Sequence, residues 1–109
     1  MTKESAESIN LKISDYYGYE NQKGQLVEEL AELIQAVNKY DRARGIGQPL
    51  RSGNQHTAFD NLVEEIADVE TMLERIKHLL NISEVEIHLI KEQKYKIGLQ
   101  NIGGKNENN

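Results

Sequence analysis

Two octets constrain this chain more than any other feature. LVEELAEL, Leu26 to Leu33, and LVEEIADV, Leu62 to Val69, lie 36 residues apart, with five of eight positions identical. In both, apolar side chains recur at the three- and four-residue spacing of one helix face. The stripes run well beyond the octets. Leu26, Leu30, Leu33, Val37 and Tyr40 form the first; Leu62, Ile66, Val69, Leu73, Ile76 and Leu80 form the second, widened on one side by Met72 and Leu79. Two long amphipathic helices with matching faces follow, and no segment alternates with period two over a useful length to offer a strand instead.

Local signals divide the rest into helices. The first is expected over Ser5 to Tyr17, with Ile9, Ile13 and Tyr16 at helical spacing and Gly18 as its stop. The second spans Tyr19 to Arg44 and ends at Gly45. A loop, GIGQPLRSGNQ from Gly45 to Gln55, holds Pro49, the single proline. The third helix spans Thr57 to Leu80, where Asp60 three residues after Thr57 suits a helix start. Ser83 with Glu86 then reads as a capping box, and Ile82 with Ile87 as a hydrophobic staple, for a fourth helix carrying Ile90, Ile97 and Leu99. The tail GGKNENN has no packing residues and is expected to be disordered. The sequence thus describes one all-α domain over residues 1–102, a four-helix bundle unit, followed by a disordered tail over 103–109.

Composition narrows the function classes. The chain has 109 residues and no cysteine, which removes disulfides, thiolate zinc sites and thiol nucleophiles and fits a reducing cytoplasm. No apolar run reaches membrane-spanning length, and MTKESAESIN has no apolar stretch like a signal peptide. A net charge of −5 argues against general nucleic-acid binding. Four short helices that also host acids form a marginal monomer, which favours oligomerisation.

The acids are the informative residues. On a helical wheel with Leu26 at zero, Glu29 falls at about 300°, on the flank of the apolar stripe, and Glu32 at about 240°. With Leu62 at zero, Glu65 falls at about 300°, between Met72 and Ile76, and Asp68 at about 240°. A carboxylate inside an apolar arc is costly unless it is paired or holds a metal. The arcs offer no clear cation; Arg75, at about 220°, is the nearest. If the helices pack antiparallel, Glu29, Glu32, Glu65 and Asp68 face one another and together make a hard-oxygen site for Mg²⁺, with Mn²⁺ as the alternative. One ion or a two-ion clamp on a phosphoryl group would both fit. A di-iron bundle is excluded, because Gly53, Arg75 and Val85 stand where Glu-x-x-His pairs need glutamate before His56, His78 and His88.

At these residues the chain resembles the MazG-like, all-α nucleoside triphosphate pyrophosphohydrolases, whose signature is EExxE on one helix and ExxD on the next. Here these are Glu28-Glu29-Leu30-Ala31-Glu32 and Glu65-Ile66-Ala67-Asp68. YGYENQKGQLVEELAELIQAV is similar to the family's approach to its first motif, and the likeness covers about Tyr17 to Leu80. It implies Mg²⁺-dependent hydrolysis of a (d)NTP between the α and β phosphates, giving a nucleoside monophosphate and pyrophosphate. It also implies that Glu29, Glu32, Glu65 and Asp68 are metal ligands and that Glu28 helps position water, with Glu32 favoured as the general base. Relatives follow these motifs with a basic fourth helix that reaches the phosphates. Here it offers Lys91, Lys94 and Lys96, with Lys96 the best candidate, although Gly98 and Leu99 depart from the basic pattern. Arg42, Arg44 and Arg51, in or beside the loop, are further candidates for the phosphates or a neighbouring subunit. Gln22, Tyr16, Tyr19 and Phe59 are candidates for the base. Homodimers or homotetramers are expected from the same likeness.

Two other readings stay open at this level. One is a catalytically silent helical interaction module of the same fold. The other is a hydrolase of a different phosphoanhydride, of the phosphoribosyl-ATP type or acting on a nucleotide-sugar precursor. All four ligand positions hold Glu or Asp, which favours the enzyme over the silent module.

Overall fold

The computed structural model describes residues 1–45 and 55–107, the side chains of 105–107 excepted. Four helices, α1 (Lys3–Tyr17), α2 (Tyr19–Ala43), α3 (Gln55–Leu79) and α4 (Glu84–Glu107), make up the architecture. No strand occurs among the described residues. The all-α expectation therefore holds.

The breaks between helices have identifiable causes. Thr2 caps α1 by accepting a hydrogen bond from the Ser5 N–H at 3.0 Å, so the helix starts earlier than the apolar spacing alone implies. Gly18 separates α1 from α2 at φ 81°, a conformation that costs a side-chain-bearing residue far more than glycine. Gly18 still donates its N–H to the Ser14 carbonyl, which closes the last turn of α1. At the end of α3, Asn81 takes the left-handed conformation at φ 56°. Its N–H reaches the His78 carbonyl, and the Ile82 N–H reaches that of Lys77, the paired bonds of a Schellman motif. Ser83 then accepts from the Glu86 N–H at 3.3 Å and starts α4 where the capping signal puts it.

The C-terminal segment departs from expectation. Gly103 and Gly104 do not end α4, which continues to Glu107. Extending an existing helix gains a hydrogen bond for each residue fixed, and that offsets the cost of about 1 kcal/mol per glycine. Residues 108 and 109 of the expected disordered tail lie outside the described residues, as does the loop over 46–54.

Helices α2 and α3 run antiparallel. Tyr40 meets Phe59 at one end, with ring centroids 5.8 Å apart, and Gln22 meets Arg75 at the other. Ala36, Ala58, Val69 and Met72 are the buried apolar residues of the described chain, and small side chains among them let the helices approach closely. Helix α1 lies against the flank of α3 through Asn10, which bonds Thr71 and Glu74. Its buried Ser14 donates to the Leu11 carbonyl and so leaves no orphaned hydroxyl.

The orientation of this pair differs from a simple reading of the stripes. Contact is centred on the flank that carries Glu29, Ala36, Glu65 and Met72, not on the middle of the leucine rows. Leu30, Val37, Ile66 and Leu73 are left 40–43% exposed, beside more open Val27, Ile34, Phe59 and Val63. On the wheel these residues lie about 90–170° round from the contact, in the same sense on each helix. In an antiparallel pair that places them on one common face, away from α1. Helix α4 packs against none of the other three helices among the described residues. It is tied at its root by an ion pair from Lys77 to Glu84 at 2.9 Å.

A candidate metal centre between α2 and α3

Because the contact is rotated toward the acidic flank, carboxylates become interface residues. Glu29 from α2 and Glu65 and Asp68 from α3 each bring an oxygen within 4.8 Å of the others. One oxygen of Glu29 and one of Glu65, the Oε2 atom in each, are sealed from solvent with no hydrogen-bond partner. A buried acceptor left unpaired is costly, so such atoms call for an explanation.

The electrostatics agree with the geometry. Burial, followed by the nearby charges of Glu32, Asp68 and Glu65, pushes the Glu29 carboxyl from an ordinary value of 4.5 up to about 7. Burial, and then Glu32 and Asp68, raises that of Glu65 as well. Clustered acids facing one another disfavour their own ionisation unless a cation joins them. The donor set is all carboxylate, half-buried and pre-gathered, which fits a small divalent ion with a preference for oxygen ligands.

Of the four acids expected to gather, Glu29, Glu65 and Asp68 form the tight group. Glu32 is exposed at the rim, close enough to act electrostatically on both buried glutamates. Glu28 is exposed and turned outward, as its wheel position requires.

The basic candidates are placed differently. Lys91, Lys94 and Lys96 sit exposed on α4, which makes no packing contact that would bring them to the acids of the same chain. Arg44 lies over the Tyr40 ring, 5.4 Å from its centroid, and Arg51 falls outside the described residues. Among the aromatic candidates, Phe59 packs on Tyr40, Tyr16 is 83% exposed, and Tyr19 lies under Lys23.

Gln22 is the candidate that the fold brings to the site. It is 2% exposed and lines a cavity of about 480 Å³ that also reaches Glu29 and Asp68. Other cavity residues were not legible from spacing. Arg75 from α3 donates through Nε to Asn10 Oδ1 at 2.6 Å and through Nη1 to Gln22 Oε1 at 2.9 Å. Asn10 is held in turn by bonds from its amide to the Thr71 carbonyl and Glu74. Tyr17 and Met72 supply apolar wall. The one hint in the sequence was the position of Arg75 near the acidic side of α3.

The arrangement can gather a divalent cation at one end of a cavity and hold a polar organic group at the other. No protein-family model matches the chain, and neither curated proteins nor solved structures give a match.

Proposed function

We propose that the chain is a Mg²⁺-dependent nucleotide pyrophosphohydrolase, cleaving the α–β phosphoanhydride of a (d)NTP. The observation that carries this is the pair of sealed, unpartnered carboxylate oxygens of Glu29 and Glu65, gathered with Asp68 beside a cavity of nucleotide-binding size. The EExxE and ExxD spacing, with its likeness to the MazG-like enzymes, supplies the reaction class.

In this reading Glu29, Glu65 and Asp68 hold the ion, and Glu32 at the rim completes the set. The bound ion would screen the triphosphate and polarise the attacked phosphorus. Glu32, exposed where water reaches it, takes a proton from the attacking water. The new P–O bond forms at the α phosphorus as the bond to the bridging oxygen breaks, and pyrophosphate leaves. Binding and orientation dominate such chemistry, so rigid helices are a suitable platform for the ligands.

The same proposal includes a second copy of the chain. The exposed rows on α2 and α3 and the apolar side chains of α4 need cover, and a homodimer or homotetramer provides it without another gene product. Lys94 and Lys96 could then reach phosphates across the subunit boundary.

Pyrophosphate release from a panel of (d)NTPs with Mg²⁺, run beside Glu65→Gln, tests the reading. Release from at least one substrate is expected, with a loss of about 100-fold or more in the variant. Absence of release from every substrate, or indifference to Glu65→Gln, overturns it. The exposed apolar face also fits the silent interaction module, and that reading takes over if the chain assembles normally but releases no pyrophosphate.

A further inference from the structure

We infer that the cavity beside the acid cluster is a base-reading pocket in which Arg75 recognises a nucleobase edge carrying hydrogen-bond acceptors, guanine-like rather than adenine-like. This rests on the nucleotide reading of the acid cluster and adds a substrate class to it.

The starting point is an unusual charge. The chain carries 18 acidic and 13 basic Lys and Arg side chains, yet half-buried Arg75 forms no ion pair among the described residues. Neutral amides hold it instead. Asn10, 8% exposed, takes the Nε–H, and Gln22, 2% exposed, takes one Nη1–H. The Met72 sulfur lies 3.6 Å from the same Nη1. These partners come from all three packed helices, so the guanidinium plane is fixed by the fold. They do not neutralise it.

What remains is a directed donor. A guanidinium has five N–H groups and no acceptor. The bonds above engage Nε and Nη1, and Nη2 donates to nothing among the described residues. Gln22 cannot supply a compensating acceptor freely, because its Oε1 is taken by Arg75 and its Nε2 donates to Asn21 at 2.7 Å. At the Arg75 end, the pocket therefore presents a fixed positive donor to its ligand.

Position separates a base from a phosphate as the group that meets it. Arg75 lies seven residues beyond Asp68 on α3, about 10 Å along the helix axis. Phosphates chelated at the acid cluster would leave the nucleoside to span that distance. Tyr17, Ile13 and Met72 line the same cavity and offer apolar surface to the faces of a ring, which suits a base and not a phosphate. Guanine presents O6 and N7 side by side as acceptors, and the Nη2–H groups left over by the Asn10 and Gln22 bonds are the donors that meet that edge. Adenine puts an amino donor where O6 would be and meets Arg75 donor to donor.

Monophosphates give a test independent of hydrolysis. Binding of GMP, IMP and AMP to the full chain with Mg²⁺ is measured by calorimetry, for the wild type, Arg75→Lys and Arg75→Met. GMP and IMP, which share O6 and N7, are expected to bind at least about fivefold tighter than AMP. Arg75→Lys keeps the charge but loses the planar group whose Nη2 donor the Asn10 and Gln22 bonds hold in place, and should erase most of that difference while far-UV circular dichroism stays unchanged. It also keeps the test usable should Arg75→Met fail to fold. Equal or tighter binding of AMP by the wild type overturns the proposal, as does failure of all three to bind. A uniform weakening of all three by Arg75→Lys would place a phosphate against Arg75 and also overturns it. A clear GMP preference without pyrophosphate release from any triphosphate would remove the hydrolase reading and leave the pocket standing.

Discussion

At the residue scale, Glu29 and Glu65 make a claim about pH. Burial and neighbouring charge raise both, Glu29 to about 7, so the folded chain binds their protons more tightly than the unfolded chain does. Metal-free stability should therefore fall as pH rises from about 4.5 to about 7, opposite to the behaviour of an ordinary salt-bridged carboxylate. Thermal melting in EDTA across that window should show the decline. Glu65→Leu should flatten the profile and raise the metal-free Tm at pH 7.5, by roughly 4–8 °C if relieving the orphaned oxygen recovers about 1 kcal/mol. A lower Tm for the variant would show Glu65 to be structurally paired. These two residues were legible in the sequence because a helix projects position onto angle, and an acid inside an apolar arc stands out. The Asn10–Arg75–Gln22 network was not, since its members are 65 and 53 positions apart and polar partners of this kind follow no period.

At the element scale, helix existence and the main stops were readable, while the rotation of α2 against α3 was not. Gly18, Gly45 and the Ser83 cap all fall where local chemistry puts them. The wheel, however, treats the leucine rows as the centre of the core, whereas the pair meets on the acid-bearing flank and leaves the rows half-open. Among the described residues, with α4 standing apart, nothing covers those rows. Val63, 50% exposed, lies on the open apolar side of α3. Val63→Lys should leave helix content unchanged and shift the assembly to a smaller species in light scattering after gel filtration. An unchanged mass would mean that this face is not where copies meet. The continuation of α4 through two glycines was likewise invisible to composition, which weighs each residue's preference and not the momentum of a helix already formed.

At the scale of the whole molecule, stability and assembly should be one measurement. The described chain is extended, with a radius of gyration of 18.3 Å, well above the ~13 Å of a compact domain of 100 residues. The described residues bury few apolar side chains, so if copies assemble as proposed, Tm should rise with protein concentration, by mass action on the folded oligomer. A concentration-independent Tm across a hundredfold dilution series, with a constant monomer mass, would contradict the proposed second copy. No described helix is long and apolar enough to cross a membrane.

The rotation that places Glu29 and Glu65 inside the α2–α3 contact has a mechanical consequence. The gap between two helices sets how far apart the carboxylates stand, so under the proposed ion-binding reading the affinity for the ion would gauge helix spacing. Whatever presses on the open faces of these helices also presses on that gauge. If a second copy docks there as proposed, it would tighten or loosen the grip on the proposed ion without touching a single oxygen ligand, and the ion would in turn set how firmly that copy holds.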